Sequence, residues 1–156
     1  MTVACGYLGL SGIREGPVGQ TDSELPICKL PERLHLLRLA DGRPVVEARL
    51  RVIEAFAAEL RGLGPTNFLY CDGEALFAHA DWRHQDDGTI RPLGLWRFAH
   101  HCATGGELPA AGLRIESHGV VQDVVLVTSV PLTTEDCAPL ACGEILVARD
   151  GHFQPA

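Results

Sequence analysis

This sequence has no long apolar run, no row of closely spaced basic residues and very little lysine. The first two absences argue against a membrane-spanning protein and a nucleic-acid-binding protein. No apolar run approaches the roughly 18 residues that span a bilayer, and the first ten residues lack the basic region of a secretory signal. We therefore expect a cytoplasmic location and no membrane partner. The formal charge is −7, and no basic stripe is interleaved with aromatic residues, so nucleic acid is not an expected partner. Lys29 is the single lysine, a bias that we attribute to genome base composition.

Closely spaced cysteine pairs are also missing. Six cysteines are present, but no two have the CxxC spacing, so a structural zinc site is disfavoured. We expect neither a metal nor a cofactor. In a cytoplasmic chain, cysteines in this pattern are more typical of reduced, buried, small apolar residues than of a disulfide framework.

Two helices are indicated in the first half of the 156 residues, which suffice for one ordinary domain. The run Thr21-Asp22-Ser23-Glu24 has the capping-box spacing and predicts the start of a helix, which Pro31 is expected to kink or divide. After a predicted turn at 41–44, apolar residues recur every three or four positions between Val45 and Leu60 and predict a second helix.

Strand patterns fill the rest of the chain. Asn67 to Tyr70, a turn at Asp72-Gly73 and Ala75 to His79 predict a hairpin. Three later apolar runs, at 95–99, 120–130 and 144–148, bring the total to about five strands, with loops predicted at 85–88 and 104–112. The order favours an α+β fold, in which an antiparallel sheet carries helices on one face.

Histidines and aspartates cluster after the hairpin, and imidazole and carboxylate groups are possible metal ligands. His79 and Asp81 are expected on one strand face, while His84, Asp86 and Asp87 follow in a polar loop. Their spacing matches no ligand motif on a helix face. A solvated hairpin end is the favoured interpretation.

Three motifs resemble the class II glutamine amidotransferases, and specifically their stand-alone bacterial branch. The run Pro17 to Glu24 resembles a segment of these proteins that reads TDSE or TDTE and lies at the start of a helix. Asn67 to Glu74, reading NFLYCDGE, resembles the family's hairpin. Val124 to Leu132, reading VVLVTSVPL, and Gly143-Glu144 resemble its later strands, so the resemblance runs from about Pro17 to Phe153 in the family's order.

The resemblance implies part of a four-layer αββα sandwich of the N-terminal-nucleophile hydrolases. In that family a first-residue cysteine attacks the side-chain amide of glutamine, its own α-amine acts as the base, and an Asn-Gly pair holds the oxyanion. By the same match Asp22, with Thr21 beside it, would bind the α-ammonium group of glutamine or a γ-glutamyl amide. From spacing alone, Thr21, Asp22 and Glu24 are better explained as a helix cap.

Sixteen residues precede Pro17, and two alignments of them are open. In one, Ala4-Cys5-Gly6 takes the place of the family's start, which makes Cys5 the candidate nucleophile although four residues precede it. In the other, which the spacing favours, Gly6 to Glu15 takes the place of the strand before TDSE. Neither alignment supplies an Asn-Gly pair.

The expected function is therefore that of a glutaminase or γ-glutamyl amide hydrolase, within a single domain over residues 1–156 that lacks the family's first half. A chain of this kind is expected to be inactive alone. The alternatives are a non-catalytic binding or interaction module, or a product completed by another chain. If a layer of the αββα sandwich is missing, the layer beneath it exposes an apolar face. Self-association or binding of a partner chain is therefore expected.

Overall fold

The computed structural model describes residues 2–5, 24–84, 87–92, 94–102, 107–110, 113–116, 121–132 and 137–155. These ranges contain two helices, α1 (Glu24–Asp41) and α2 (Val46–Arg61). They also contain twelve strands, which are β1 (Thr2–Cys5), β2 (Phe68–Cys71), β3 (Leu76–His79), β4 (Arg83–His84), β5 (Ile90–Arg91), β6 (Trp96–Cys102), β7 (Glu107–Ala110), β8 (Leu113–Glu116), β9 (Gln122–Thr128), β10 (Ala138–Pro139), β11 (Ile145–Arg149) and β12 (His152–Phe153).

Helix α2 confirms the periodicity of its sequence. Ile53, Phe56, Ala57 and Leu60 are buried on one face, as a spacing of three and four residues requires. The helix begins without a side-chain cap, and Gly62 continues its backbone hydrogen bonding at the other end. Burial of this apolar face is what fixes the helix against the rest of the protein.

Helix α1 is continuous through Pro31, so the expected division at that residue was wrong. A proline inside a helix removes one backbone hydrogen bond. Leu30 and Leu34 lie on either side of it, are buried in the same core as α2, and offset that loss by packing.

The predicted hairpin is confirmed as β2 and β3, which pair antiparallel with Tyr70 opposite Phe77. Gly73 has a φ of 87°, a value that glycine adopts readily in a turn. Strand β11 pairs with the other edge of β3, and Phe77 lies opposite Val147.

These strands form a five-stranded sheet, sheet I, in the order β1-β2-β3-β11-β12. All neighbours are antiparallel except β1, which runs parallel to β2. Tyr70 and Phe77 on one face pack with α1 and α2, whereas Leu69 and Ala78 on the other face belong to a second core. Period-two alternation thus gives the sheet two buried faces.

The second core is closed by a three-stranded sheet, sheet II, in the order β10-β6-β9. Val127 of β9 and Leu140, beside β10, pack there with Leu146 of sheet I. The described layers are therefore helices, sheet I and sheet II. The α+β class, with both helices on one face of the main sheet, is confirmed.

The loop expected over 104–112 was wrong at Glu107–Ala110, which forms β7 and pairs antiparallel with β8. Pro109 and the glycines before the strand favoured a loop, but a two-stranded ribbon has free edges on which a proline is tolerated. The remaining strands that were not predicted have two to four residues each, and periodicity over longer windows does not detect them. Within the described ranges, neither helix is long and apolar enough to cross a bilayer.

Candidate functional site

The structure describes one of the three residues expected at the site. Cys5 is the last residue of β1, where its backbone lies opposite Cys71 of β2. Asp22 and Thr21 lie outside the described residues. Helix α1 is described from Glu24, the last residue of the capping-box run, and the predicted cap at Thr21 also lies outside the described residues.

Among the residues that the structure describes, two cavities flank sheet I, one near each end of the β2–β3 hairpin. The first, the hairpin-turn cavity, has a volume of about 530 Å³ and lies where β2 ends and α2 begins. Its lining combines three arginines and two carboxylates with a tyrosine, and consists of Leu34, Arg38, Arg43, Pro44, Arg49, Tyr70, Asp72, Gly73 and Glu74.

Arg49 is the central cation of the hairpin-turn cavity. It is 8% exposed, and its guanidinium group contacts the Asp72 carboxylate and lies 3.1 Å from Glu74 Oε2. It also stacks over the Phe77 ring, with Cζ 5.9 Å from the ring centroid. A long, charged side chain can be buried here because its charge is paired and its planar group packs on an aromatic face.

Glu74 is shared among three arginines. Arg43 lies 3.0 Å from one of its carboxylate oxygens, and Arg149 of β11 lies 3.2 Å from the other. Burial acts to raise the pKa of Glu74, but the charges of Arg49 and Arg43 outweigh it and hold the pKa below its ordinary value. Arg38 has no ion pair with another described residue, so cations exceed anions around this cavity.

Tyr70 lines the same cavity and is 1% exposed. Among the described residues its hydroxyl group has no hydrogen-bond partner, and neither does Nε of Arg49. Burial and the neighbouring Asp72 carboxylate raise the pKa of Tyr70 to about 12, so the phenol is neutral and keeps its proton. The cavity therefore presents two buried donors without acceptors.

The second cavity, the Asp81 cavity, has a volume of about 450 Å³ and lies where α2 ends. Its lining consists of Ala58, Arg61, Gly62, Gly64, Pro65, Asp81 and Trp82. Asp81 is 3% exposed, and its carboxylate accepts hydrogen bonds from the Thr66 backbone N–H at 3.3 Å and from Cys142 Sγ at 3.1 Å. Arg61 Nε lies 3.7 Å from the same carboxylate.

The Asp81 carboxylate is kept ionised by these donors. Burial acts to raise the pKa of Asp81, but hydrogen bonds from Cys142, Trp82 and Thr66 outweigh it and hold the pKa below its ordinary value. Burial and the Asp81 carboxylate raise the pKa of the Cys142 thiol, which therefore acts as a donor and is a poor nucleophile at neutral pH.

Glycines allow the close packing around Asp81. A Cβ atom at Gly94 would overlap the side-chain amide oxygen of Asn67 and lie 2.5 Å from the Asp81 carbonyl oxygen. That amide oxygen accepts the Asp81 backbone N–H at 2.8 Å. Gly143 has a φ of 85°, and a Cβ atom there would lie 2.8 Å from Arg61 Nη1. The Gly143-Glu144 motif thus marks a turn that leaves room for an arginine.

His79 and Asp81 are both buried, so a solvated hairpin end was the wrong interpretation for them. It holds for His84 and Asp87, which are exposed. Burial lowers the pKa of His79, and neither ring nitrogen has a hydrogen-bond partner in the described part of the chain. Among the residues described, no group of three His, Cys, Asp or Glu side chains is placed to hold a metal ion.

The arginine cluster at the hairpin turn was missed from the sequence. Its members, Arg38, Arg43, Arg49 and Arg149, come from α1, the loop after it, α2 and β11. One signal was available, because Arg49 falls four residues before Ile53 on the apolar face of α2. A charged residue on that face is buried only with a partner.

Comparison with known proteins adds the family to this geometry. The profile of the class II glutamine amidotransferases matches residues 7–156. The chain belongs to the class II glutamine amidotransferase family, as its motifs indicated.

Two relatives show how much of a longer protein this chain represents. It superposes on a crystal structure described as a predicted glutamine amidotransferase from Pseudomonas aeruginosa, with a TM-score of 0.67 and 27% identity, over 90% of this chain and 52% of that one. It is also 25% identical over 147 residues to a Methanocaldococcus jannaschii protein described as uncharacterized, which covers 88% of this chain and 37% of that protein. The chain thus spans about half or less of the length of these relatives.

Proposed function

We propose that this chain binds glutamine or a related γ-glutamyl amide as part of a class II glutamine amidotransferase domain. The observation that carries the proposal is the family match over residues 7–156, supported by the fold shared with the Pseudomonas aeruginosa protein. Asp22 is the proposed ligand of the substrate's α-ammonium group, with Thr21 beside it. A carboxylate just before a helix is stabilised by the partial positive charge of the helix N-terminus, so it stays ionised.

Binding is tested by calorimetric titration of the chain with glutamine. Asp22→Ala removes one charge-assisted contact and should weaken binding about tenfold or more. Glu54→Ala is the matched control, because it removes an acidic residue from the exposed face of α2. Absence of glutamine binding by a folded chain, or equal affinities in both variants, would contradict the proposal.

Amide hydrolysis by this domain would follow the family's chemistry. The α-amine takes the proton of the cysteine thiol, the thiolate attacks the amide carbon, ammonia leaves with that proton, and water then cleaves the glutamyl thioester to glutamate and the free thiol. Cys5 is the proposed nucleophile, and it would need its own free α-amine. Removal of the residues before it would supply that amine.

Release of ammonia from glutamine tests the role of Cys5 when residues 1–4 are removed and the segment that supplies the oxyanion donors is present. Cys71 is a matched control, since its backbone lies opposite Cys5 in the parallel pair of strands. Activity that is lost in Cys5→Ser and kept in Cys71→Ser would support the assignment. Activity that survives in Cys5→Ser would overturn it and leave the binding proposal intact.

Acyl transfer also needs donors for the oxyanion, because this electrostatic contribution is usually the largest in such reactions. We propose that a further segment, in the same chain or in a second one, supplies them, since the relatives are about twice as long or longer. Association with a second copy in the cytoplasm is one form of this proposal. Light scattering across a range of concentrations tests it, and a monomer throughout that range would contradict self-association.

A further inference from the structure

The hairpin-turn cavity carries an inference that does not depend on amide chemistry. Its volume of about 530 Å³ falls within the range of pockets that hold small organic ligands. Three of its lining residues are arginines and two are acids, and Arg149 adds a further cation by its contact with Glu74. The lining thus carries a net formal charge of +1 in a chain whose formal charge is −7, and Arg149 is itself also paired with Asp150.

The unpaired atoms of this cavity are donors. Tyr70 is a neutral phenol, and Nε of Arg49 is a charged N–H group; both are buried and both lack an acceptor among the described residues. A buried donor without an acceptor costs about 1–3 kcal/mol, so such groups are retained where something else fills the gap. An acceptor oxygen of a water molecule or a ligand would complete these bonds once the neighbouring side chains shift to expose the two atoms, which are fully buried in the structure.

The existing ion pairs leave part of the positive charge free. The two terminal nitrogens of Arg49 donate hydrogen bonds to Asp72 and Glu74, and Arg43 also donates a hydrogen bond to Glu74. Arg38 lines the cavity from α1 without an ion pair to a described residue. A guanidinium group of this kind matches the geometry of a carboxylate or phosphate group.

The first turn of α2 does not add to the preference for an anion. Pro44 and Arg43 of the lining lie just before that turn, but Glu47 within it offsets the partial positive charge of the helix start. The preference therefore rests on the arginines and the two donors without acceptors.

We propose that the hairpin-turn cavity binds a small organic dianion, whose carboxylate or phosphate oxygens accept hydrogen bonds from Tyr70, Arg49 and Arg38. The repulsion from the two acids of the lining is reduced because Asp72 is paired with Arg49, and Glu74 with Arg49, Arg43 and Arg149. Tyr70 and Arg49 contact the buried part of the ligand, and Arg38 and Arg43 contact the part nearer to solvent.

The test uses the full chain with succinate and inorganic phosphate as probes and succinamide as the neutral control. Ionic strength is held constant with sodium chloride, because screening alone changes the energy of exposed ion pairs. Succinate or phosphate should raise the thermal unfolding midpoint and show saturable binding by calorimetry, and succinamide should do neither. Binding of succinate alone assigns a carboxylate ligand, and binding of phosphate alone assigns a phosphate ligand.

Two variants separate this site from a general effect of anions. Arg38→Gln and Tyr70→Phe should each raise the dissociation constant about tenfold or more, since each removes one donor to a charged ligand. Arg51→Gln is the matched control, because it removes an exposed arginine on the same helix as Arg49 but outside the cavity lining. It should leave the dissociation constant unchanged.

The proposal is overturned if neither anion binds more tightly than succinamide. It is also overturned if Arg38→Gln and Tyr70→Phe bind as the wild type does. These measurements involve neither Asp22 nor the hydrolysis of glutamine. A negative result for this site can therefore be distinguished from a negative result for the proposed glutamine chemistry.

Discussion

The two ends of the β2–β3 hairpin use charged residues in opposite ways. At the Asp81 cavity one buried carboxylate is surrounded by enough donors, from Thr66, Cys142 and Arg61, to satisfy its oxygens. At the hairpin-turn cavity the two carboxylates are paired with arginines, but the Tyr70 hydroxyl group and Arg49 Nε have no partner among the described residues. The closed network of bonds to Asp81 holds elements of the fold together, although buried His79 at the same end has no partner for its ring nitrogens in the described part of the chain. The network at the hairpin turn, with free donors and an excess of arginines, is suited to a ligand.

The largest effect should come from the part of the hairpin-turn cavity that also supports the fold. Asp72 accepts hydrogen bonds from the backbone N–H groups of Glu74 and Ala75 and forms an ion pair with buried Arg49. Asp72→Ala should therefore lower the free energy of unfolding by about 3–5 kcal/mol, as measured by urea denaturation.

Asp72→Asn refines this prediction, because it keeps an acceptor for the turn and removes the charge. Its loss should lie between that of Asp72→Ala and that of Glu54→Ala, which should be close to zero for an exposed residue. If Asp72→Ala is no more destabilising than Glu54→Ala, the ion pair with Arg49 makes no net contribution to stability.

The closed network should give the next largest effect. Asp81→Ala leaves the Thr66 N–H and the Cys142 thiol without their acceptor and should lower the free energy of unfolding by about 1–3 kcal/mol. Urea denaturation measures it, and succinate should not restore the stability of this variant. Restoration by succinate would mean that the two ends do not differ as described.

The pH dependence of stability should be smaller and should arise mainly at the Asp81 end. Burial lowers the folded-state pKa of His79, so the unfolded chain binds the proton first and stability falls as the pH drops below about 6.5. The lowered pKa values of Asp81 and Glu74 act in a lower range, since their contribution is present above about pH 4 and is lost below it.

His79→Leu isolates the first of these two ranges. Between pH 7 and 5 the variant should have a flatter dependence of unfolding free energy on pH than the wild type, whatever its absolute stability. Urea titrations at several pH values measure the slope. An unchanged slope would assign this range to another group.

The smallest effect is expected where the network has free donors. Arg38→Gln should change the free energy of unfolding without ligand by no more than about 0.5 kcal/mol, because Arg38 has no described ion pair to lose. A loss comparable to that of Asp81→Ala would show that Arg38 supports the fold.

Much of the fold follows from local pattern in the sequence. The apolar spacing of α2 and the Asp72-Gly73 turn gave the correct elements, because both depend on neighbours a few residues apart. The prediction at Pro31 was wrong because buried Leu30 and Leu34 offset a local penalty. The prediction at Glu107–Ala110 was wrong because Pro109 and the glycines on either side of the segment favour a loop. The family could be inferred from the sequence because short motifs occur along the chain in the family's order.

The two cavities could not be predicted in the same way. Arg49 meets Asp72 from 23 positions away, and Cys142 meets Asp81 from 61 positions away. Nothing in the local sequence indicates such partners, and burial of His79 depends on the helices that cover its strand. The positions of Asp22 and Thr21 at a site stay predictions, because they rest on resemblance.

The parallel pairing of β1 with β2 has a consequence for how the chain folds. Thr2 lies opposite Phe68, so 66 positions separate the paired residues, and both helices lie in between. Closing so long a loop costs conformational entropy. Few contacts offset that cost until the helices have packed on the hairpin. We therefore expect β1 to join the sheet late in folding, after the hairpin has offered it a preformed edge.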